Sequence, residues 1–166
     1  MKKFLGMSLA IGITAAAWFF VANAVGLQPW PAYIGWSVFF WEGADMRAVK
    51  RGFPAIVLGA VLGVITFRCI GLLGDIPGPG MLLLFASLMV GVLAFTMAIA
   101  QTWEIFTVAS ATFIGASHYF ALRGYLPELE GFINAAGTTS IGLILGLISV
   151  AIGGPLTKMI MGEDNQ

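Results

Sequence analysis

The amino-acid sequence predicts an all-α membrane protein, one domain over residues 1–166, with six transmembrane helices arranged as two inverted three-helix repeats. Three observations carry this. Hydrophobic residues make up 59% of the chain and charged residues only 10%, where a soluble domain carries about 25% charged. Several apolar runs approach or exceed the roughly 18–20 residues that cross a bilayer. Two pairs of sequence blocks recur in the same order in the two halves.

The segments are Phe4 to Val25, Trp30 to Trp41, Pro54 to Leu73, Met81 to Ala100, Ile105 to Leu122 and Phe132 to Ile152. Main-chain groups in hydrocarbon must pair within their own segment, so each is read as a helix. The first also resembles a cleavable signal peptide, with "MKK" before it and "ANA" at its end. The repeat requires it as a span. The second is short: from Pro31 to Glu42 a helix rises only about 17 Å, so it begins earlier, tilts or spans half the bilayer. Arg47, Lys50 and Arg51 precede the third in what reads as a loop, and "GDIPGPG" is a turn before the fourth. The fifth is interrupted by small polar residues. "RGYLPELEG" leads into the sixth.

Six spans place Lys2, Lys3, Arg47, Lys50, Arg51 and Lys158 on one side, and Asp75, Glu128, Glu130 and Arg123 on the other. The positive side is cytoplasmic, which puts both termini there. Net charge is zero and no basic stripe suits nucleic acid. Cys69 is the only cysteine and His118 the only histidine, so neither an internal disulfide nor a metal site is expected. No cofactor is implied. An enzyme is not expected either, because no nucleophile–base pair, G-x-S-x-G or phosphate loop is present.

"PAYIGWSVFF" at 31–40 lies on "ATFIGASHYF" at 111–120, matching Ile34, Gly35, Ser37 and Phe40 to Ile114, Gly115, Ser117 and Phe120. "LGAVLGVI" at 58–65 lies on "IGLILGLI" at 141–148, matching Gly59 and Gly63 to Gly142 and Gly146. Repeat one covers about 4–73 and repeat two about 81–152. Three spans per repeat force opposite orientations, and inverted repeats place a solute route at their interface. The Gly59/Gly63 and Gly142/Gly146 pairs put small surfaces on one helix face, where a neighbouring backbone can approach.

With these blocks the chain resembles a family of small bacterial inner-membrane proteins of unknown function, DUF1097. The resemblance rests on "AAAWFFVANAVGLQPWPAYIGWSVFF", "VASATFIGASHYFA" and "IGLILGLI". It implies a six-helix inner-membrane protein and supplies no substrate and no catalytic residue. Trp36, directly after Gly35, would narrow any pore at that level.

The candidate solute-path residues are His118, Ser117, Ser110, Thr107, Ser37 and Arg68. Helical spacing groups Thr107, Ser110, Ser117 and His118 on one side of the fifth segment, with Thr112 pointing elsewhere. Ser37 is the repeat mate of Ser117. Hydroxyls, one imidazole and aromatic walls suit a small polar solute, uncharged or weakly acidic or basic. Ser and Thr in such helices also commonly bond their own backbone. Ionisable residues within membrane segments usually face the bundle interior. His118 therefore either serves a gate or holds a neighbouring hydroxyl or carbonyl. Arg68 either snorkels to the interface or guards an outer vestibule. Asn23, Asn134, Thr138 and Thr139 are placed near the outer mouth. The sequence thus points to a channel or facilitator in the lipid bilayer and allows a homo-oligomeric assembly. The alternatives are a non-transporting accessory or assembly subunit and a proton-coupled transporter using His118.

Overall fold

The computed structural model describes residues 2–72 and 78–162. Within these, the helices are α1 (Lys2–Ala24), α2 (Trp30–Trp41), α3 (Met46–Leu72), α4 (Pro79–Ala100), α5 (Ala109–Arg123) and α6 (Glu128–Met161). A 3-10 turn over Glu104–Phe106 precedes α5, and α6 widens to a π turn over Ile133–Thr138. Asp75 and most of "GDIPGPG" lie outside the described residues.

Four helices, not six, are long and apolar enough to cross a membrane: α1, α3, α4 and α6. α2 has 12 residues and α5 has 15, rises of about 18 and 22 Å against roughly 30 Å of hydrocarbon. Both short helices nevertheless run from one end of the bundle toward the other. One end gathers the end of α1, the start of α2, the ends of α3 and α5, and the start of α6, held by Gln28–Asn134, Trp30–Tyr125 and Arg68–Glu128 contacts. At the opposite end the start of α1 meets the end of α6, where Gly153 faces Met7 and Gly6 faces Thr157.

Arg47, Lys50 and Arg51 sit in the first turns of α3, not in a loop, because that helix begins at Met46 and runs through Pro54. Asp45 starts it by accepting from the backbone N–H groups of Arg47 (2.7 Å) and Ala48 (3.2 Å). The sharp turn before it uses Gly43 at φ +102° and Ala44 at φ +57°. Lys158 lies in the last turn of α6, which also continues through Pro155. Proline is tolerated inside membrane helices where neighbours re-satisfy the freed carbonyl.

Packing is crossed between the halves. α5 lies along α3, α2 lies along α6, and α1 covers another side of α6. α4 touches α3 and α5 and buries only Leu93, Met97 and Ala100. Glycine makes the close crossings possible. A Cβ on Gly59 would overlap the Thr112 carbonyl, and one on Gly115 would overlap the Ile56 carbonyl. Gly142 stands in the same way against Ala32, and Gly35 against Thr139. Gly63 accommodates Tyr119 and Gly146 accommodates Phe39, both rings fully buried. All six glycines picked out in the sequence thus sit at interhelical contacts. The central apolar cluster draws on α2, α3, α5 and α6 through Val38, Phe39, Ile56, Ala111 and Leu143.

Gly59→Ala is expected to cost about 3 kcal/mol or more, because the obstructing atoms are main chain and cannot rotate away. Gly91→Ala in α4, where the added Cβ meets nothing within 4 Å, should change stability by less than about 1 kcal/mol. Denaturant unfolding in mixed micelles compares the two. Equal effects would show that the α3–α5 crossing is looser than described. The carboxyl of Asp45 is held below the usual carboxylate range, first by the side-chain hydrogen bond from Arg47. Arg47→Ala should raise its titration midpoint, read by carbon-13 NMR. The stabilisation that this lowered value confers is present above the ordinary carboxylate value and is lost as pH falls below it.

Candidate polar core between the crossed helices

The inward face of α6 carries Asn134, Thr138, Thr139 and Ser149, all buried. The first two lie within the π turn and Thr139 directly follows it. A π turn re-aims side chains relative to a regular α-helix and is frequent at functional sites. Here it turns hydroxyls and an amide toward α2 and α5.

Asn134 forms the outer part of this core. Its Oδ1 accepts from the Gln28 backbone N–H (2.8 Å) and from Thr138 Oγ1 (3.2 Å), and its Nδ2 donates to the Glu130 carbonyl (2.9 Å). It thereby ties the α1–α2 connection to the start of α6. His118 comes next. It is 4% exposed, and its Nδ1 shares a 2.6 Å hydrogen bond with Thr139 Oγ1 across the α5–α6 contact. The Trp30 indole stands edge-on to the imidazole, with ring centres 4.8 Å apart and planes at 79°. Further along α6, Trp36 Nε1 donates to Ser149 Oγ (3.2 Å), and that hydroxyl donates to the Gly146 carbonyl (2.7 Å). Trp36 is buried between α2 and α6 at this level.

The predicted site residues divide. His118 is inside. Ser117, Ser110, Thr107 and Ser37 are exposed on the outer surface of the bundle, so they are not gathered around the histidine. The single-face grouping fails for two reasons. Thr107 lies before α5 begins, where the 3-10 turn breaks the helical register. Ser110 and Ser117 fall at the lipid-side edge of the arc whose inner edge is His118. Ser37 and Ser110 do line one shallow groove of about 210 Å³ with Val38, Trp41 and Ile114. The Ser37 hydroxyl is bonded to the Ile34 carbonyl (2.7 Å). Thr112 points into the α3 contact and bonds the Val108 carbonyl (3.3 Å).

Arg68 is exposed and its guanidinium pairs with Glu128 at the start of α6. The partner was not legible in the sequence, because 60 residues separate the two. Ser149 and its Trp36 donor were also missed. A buried serine seven residues beyond Gly142 on the same helix face was the available signal. Among the described residues, Tyr119 OH and Arg123 Nε are buried without a hydrogen-bond partner. The Arg123 guanidinium lies 5.1 Å from the centre of the Phe67 ring. No group of three or more metal-ligating side chains occurs among the described residues.

The model of the family described as a protein of unknown function, DUF1097, matches residues 8–154. The chain belongs to the DUF1097 family. Its relatives include the inner membrane protein YcdZ of Escherichia coli K12, 27% identical over 150 residues, covering 88% of this chain and 83% of the relative. The Salmonella typhimurium LT2 protein of the same name is 25% identical over 152 residues, covering 88% and 84%. No solved structure matches. DUF1097 membership and the apolar helices agree on an integral membrane protein. The buried polar core lies within the matched span.

A double-mutant cycle on His118→Phe and Thr139→Val should give a coupling of about 0.6 kcal/mol, the average for hydrogen bonds between membrane helices, and at most about 1.7 kcal/mol. Denaturant unfolding of the four proteins measures it. Additive single effects would mean that the two side chains do not share a bond in the bilayer.

Proposed function

We propose that this inner-membrane protein is a channel or facilitator for a small polar solute, uncharged or weakly acidic or basic. The path would follow the polar core from Asn134 and Thr138, past His118–Thr139, to Trp36–Ser149. The observation that carries the reading is the His118–Thr139 bond. It brings an imidazole and a hydroxyl together at the π turn, between the short helix α5 and the long helix α6 of the second half. Such a bond can open to offer both groups to a passing solute. The buried Tyr119 hydroxyl and Arg123 Nε, which have no hydrogen-bond partner among the described residues, support an entrance at the α5 C-terminal end.

The same reading includes two inverted repeats. Its support is the pairing of close contacts. Gly59 meets Thr112 and Gly142 meets Ala32, and Thr112 and Ala32 hold equivalent places in the aligned blocks. Gly115 with Ile56 and Gly35 with Thr139 form a second such pair, and Gly63 with Tyr119 and Gly146 with Phe39 a third. Under this alignment His118 and Thr139 correspond to Val38 and Ile56, members of the apolar cluster. The polar pair thus belongs to one half alone. The meeting of the start of α1 and the end of α6 supports both termini on one side, and the basic residues near them favour the cytoplasm. Neither a cofactor nor catalysis is part of the reading.

A second reading, a non-transporting accessory or assembly subunit of a membrane complex, is favoured by α4. That helix exposes Leu83, Leu84, Leu88, Val92 and Phe95 and has few partners within the chain.

Stopped-flow light scattering on proteoliposomes tests the first reading with water, glycerol, urea, ammonia, formate and acetate at acid and neutral pH. One solute should enter faster than through protein-free vesicles. His118→Ala should change that rate or its pH dependence at least tenfold, with the variant as monodisperse as the parent. A folded parent that passes none of these solutes would move the reading to the accessory subunit.

A further inference from the structure

Between α3 and the start of α6 runs an open apolar groove of about 290 Å³, lined by Val61, Val64, Ile65, Leu129 and Phe132, with Glu128 at its rim. Arg68 stands above it on α3. From Val61 to Arg68 is seven residues, about 10 Å along the helix axis. An arginine near the end of a spanning helix snorkels to the headgroups, so a groove that runs from Arg68 back to Val61 would descend about two turns into hydrocarbon. Ile65 and Leu129 are exposed to the bilayer, so an acyl chain can enter from the side.

The rim is zwitterionic. Arg68 Nε and Nη2 both donate to a single oxygen, Glu128 Oε1. Among the described residues, Arg68 Nη1 and Glu128 Oε2 are free of such a bond. A guanidinium N–H and a carboxylate oxygen are therefore both available at the rim of one apolar groove. Charge complementarity selects a headgroup with a phosphate and a nearby ammonium that can donate hydrogen bonds. We infer that this groove is a binding site for one phosphatidylethanolamine molecule. Its phosphate would sit on Arg68, its ammonium on Glu128, and one acyl chain along Val61, Val64 and Ile65. Phosphatidylglycerol satisfies Arg68 but brings no cation to Glu128. Phosphatidylcholine brings a cation that cannot donate.

Native mass spectrometry of the full chain tests this, after exchange into micelles carrying equimolar phosphatidylethanolamine, phosphatidylglycerol and phosphatidylcholine. One phosphatidylethanolamine should be retained at least fivefold over either other lipid. Glu128→Gln, which changes no volume, should abolish the preference over phosphatidylglycerol. Val64→Trp should reduce retention of all three. The charge exchange Arg68→Glu with Glu128→Arg should keep the phosphatidylethanolamine preference, since both charges remain at the rim. Equal retention of the three lipids by the parent would overturn the site and leave only annular lipid. So would a preference unchanged in Glu128→Gln.

Discussion

The constraint on which this structure depends is the approach of helix backbones within a membrane. Lipid tails are as apolar as leucine, so no hydrophobic force drives the helices together and association rests on close packing and interhelical hydrogen bonds. Gly35, Gly59, Gly115 and Gly142 each face a carbonyl of a neighbouring helix with no room for a side chain. These four positions set how α2 lies on α6 and how α5 lies on α3. The two shortest helices are thus fixed to two of the longest, and each half holds the other.

That arrangement decides what α6 can do. With α2 and α5 pressed against it, the hydroxyls and amide of its π turn must find partners inside the bundle, because an unpaired polar group in hydrocarbon costs several kcal/mol. Asn134 takes the Gln28 amide and Thr139 takes His118. Trp36 fills the far end against Ser149. The polar core is therefore a fastener between the halves.

The short helices account for the main difference between sequence and structure. Trp30 to Trp41 was legible as an element with its boundaries, and its shortness was legible too. That Thr107 leaves the helix was not, because "EIFT" is apolar enough to continue the pattern while its backbone tightens into a 3-10 turn. The starts of α3 and α6 were placed too late for a related reason. Charged residues and prolines mark loops in an apolar pattern, yet Asp45 caps a helix that begins before the basic residues and carries Pro54 inside it, and Glu128 and Glu130 form the first turn of α6.

The sequence alone determined the all-helical membrane class, the order of the segments, the recurrent glycines and the isolation of one histidine. Each follows from composition and local spacing, which act through the bilayer and the helix geometry without reference to distant residues. Only the tertiary structure decided which polar groups meet. Ser117 and His118 are adjacent in sequence, yet one faces outward and the other bonds Thr139. The outcome rests on the crossing of α5 over α3 and α6, which the glycines permit and no local pattern encodes.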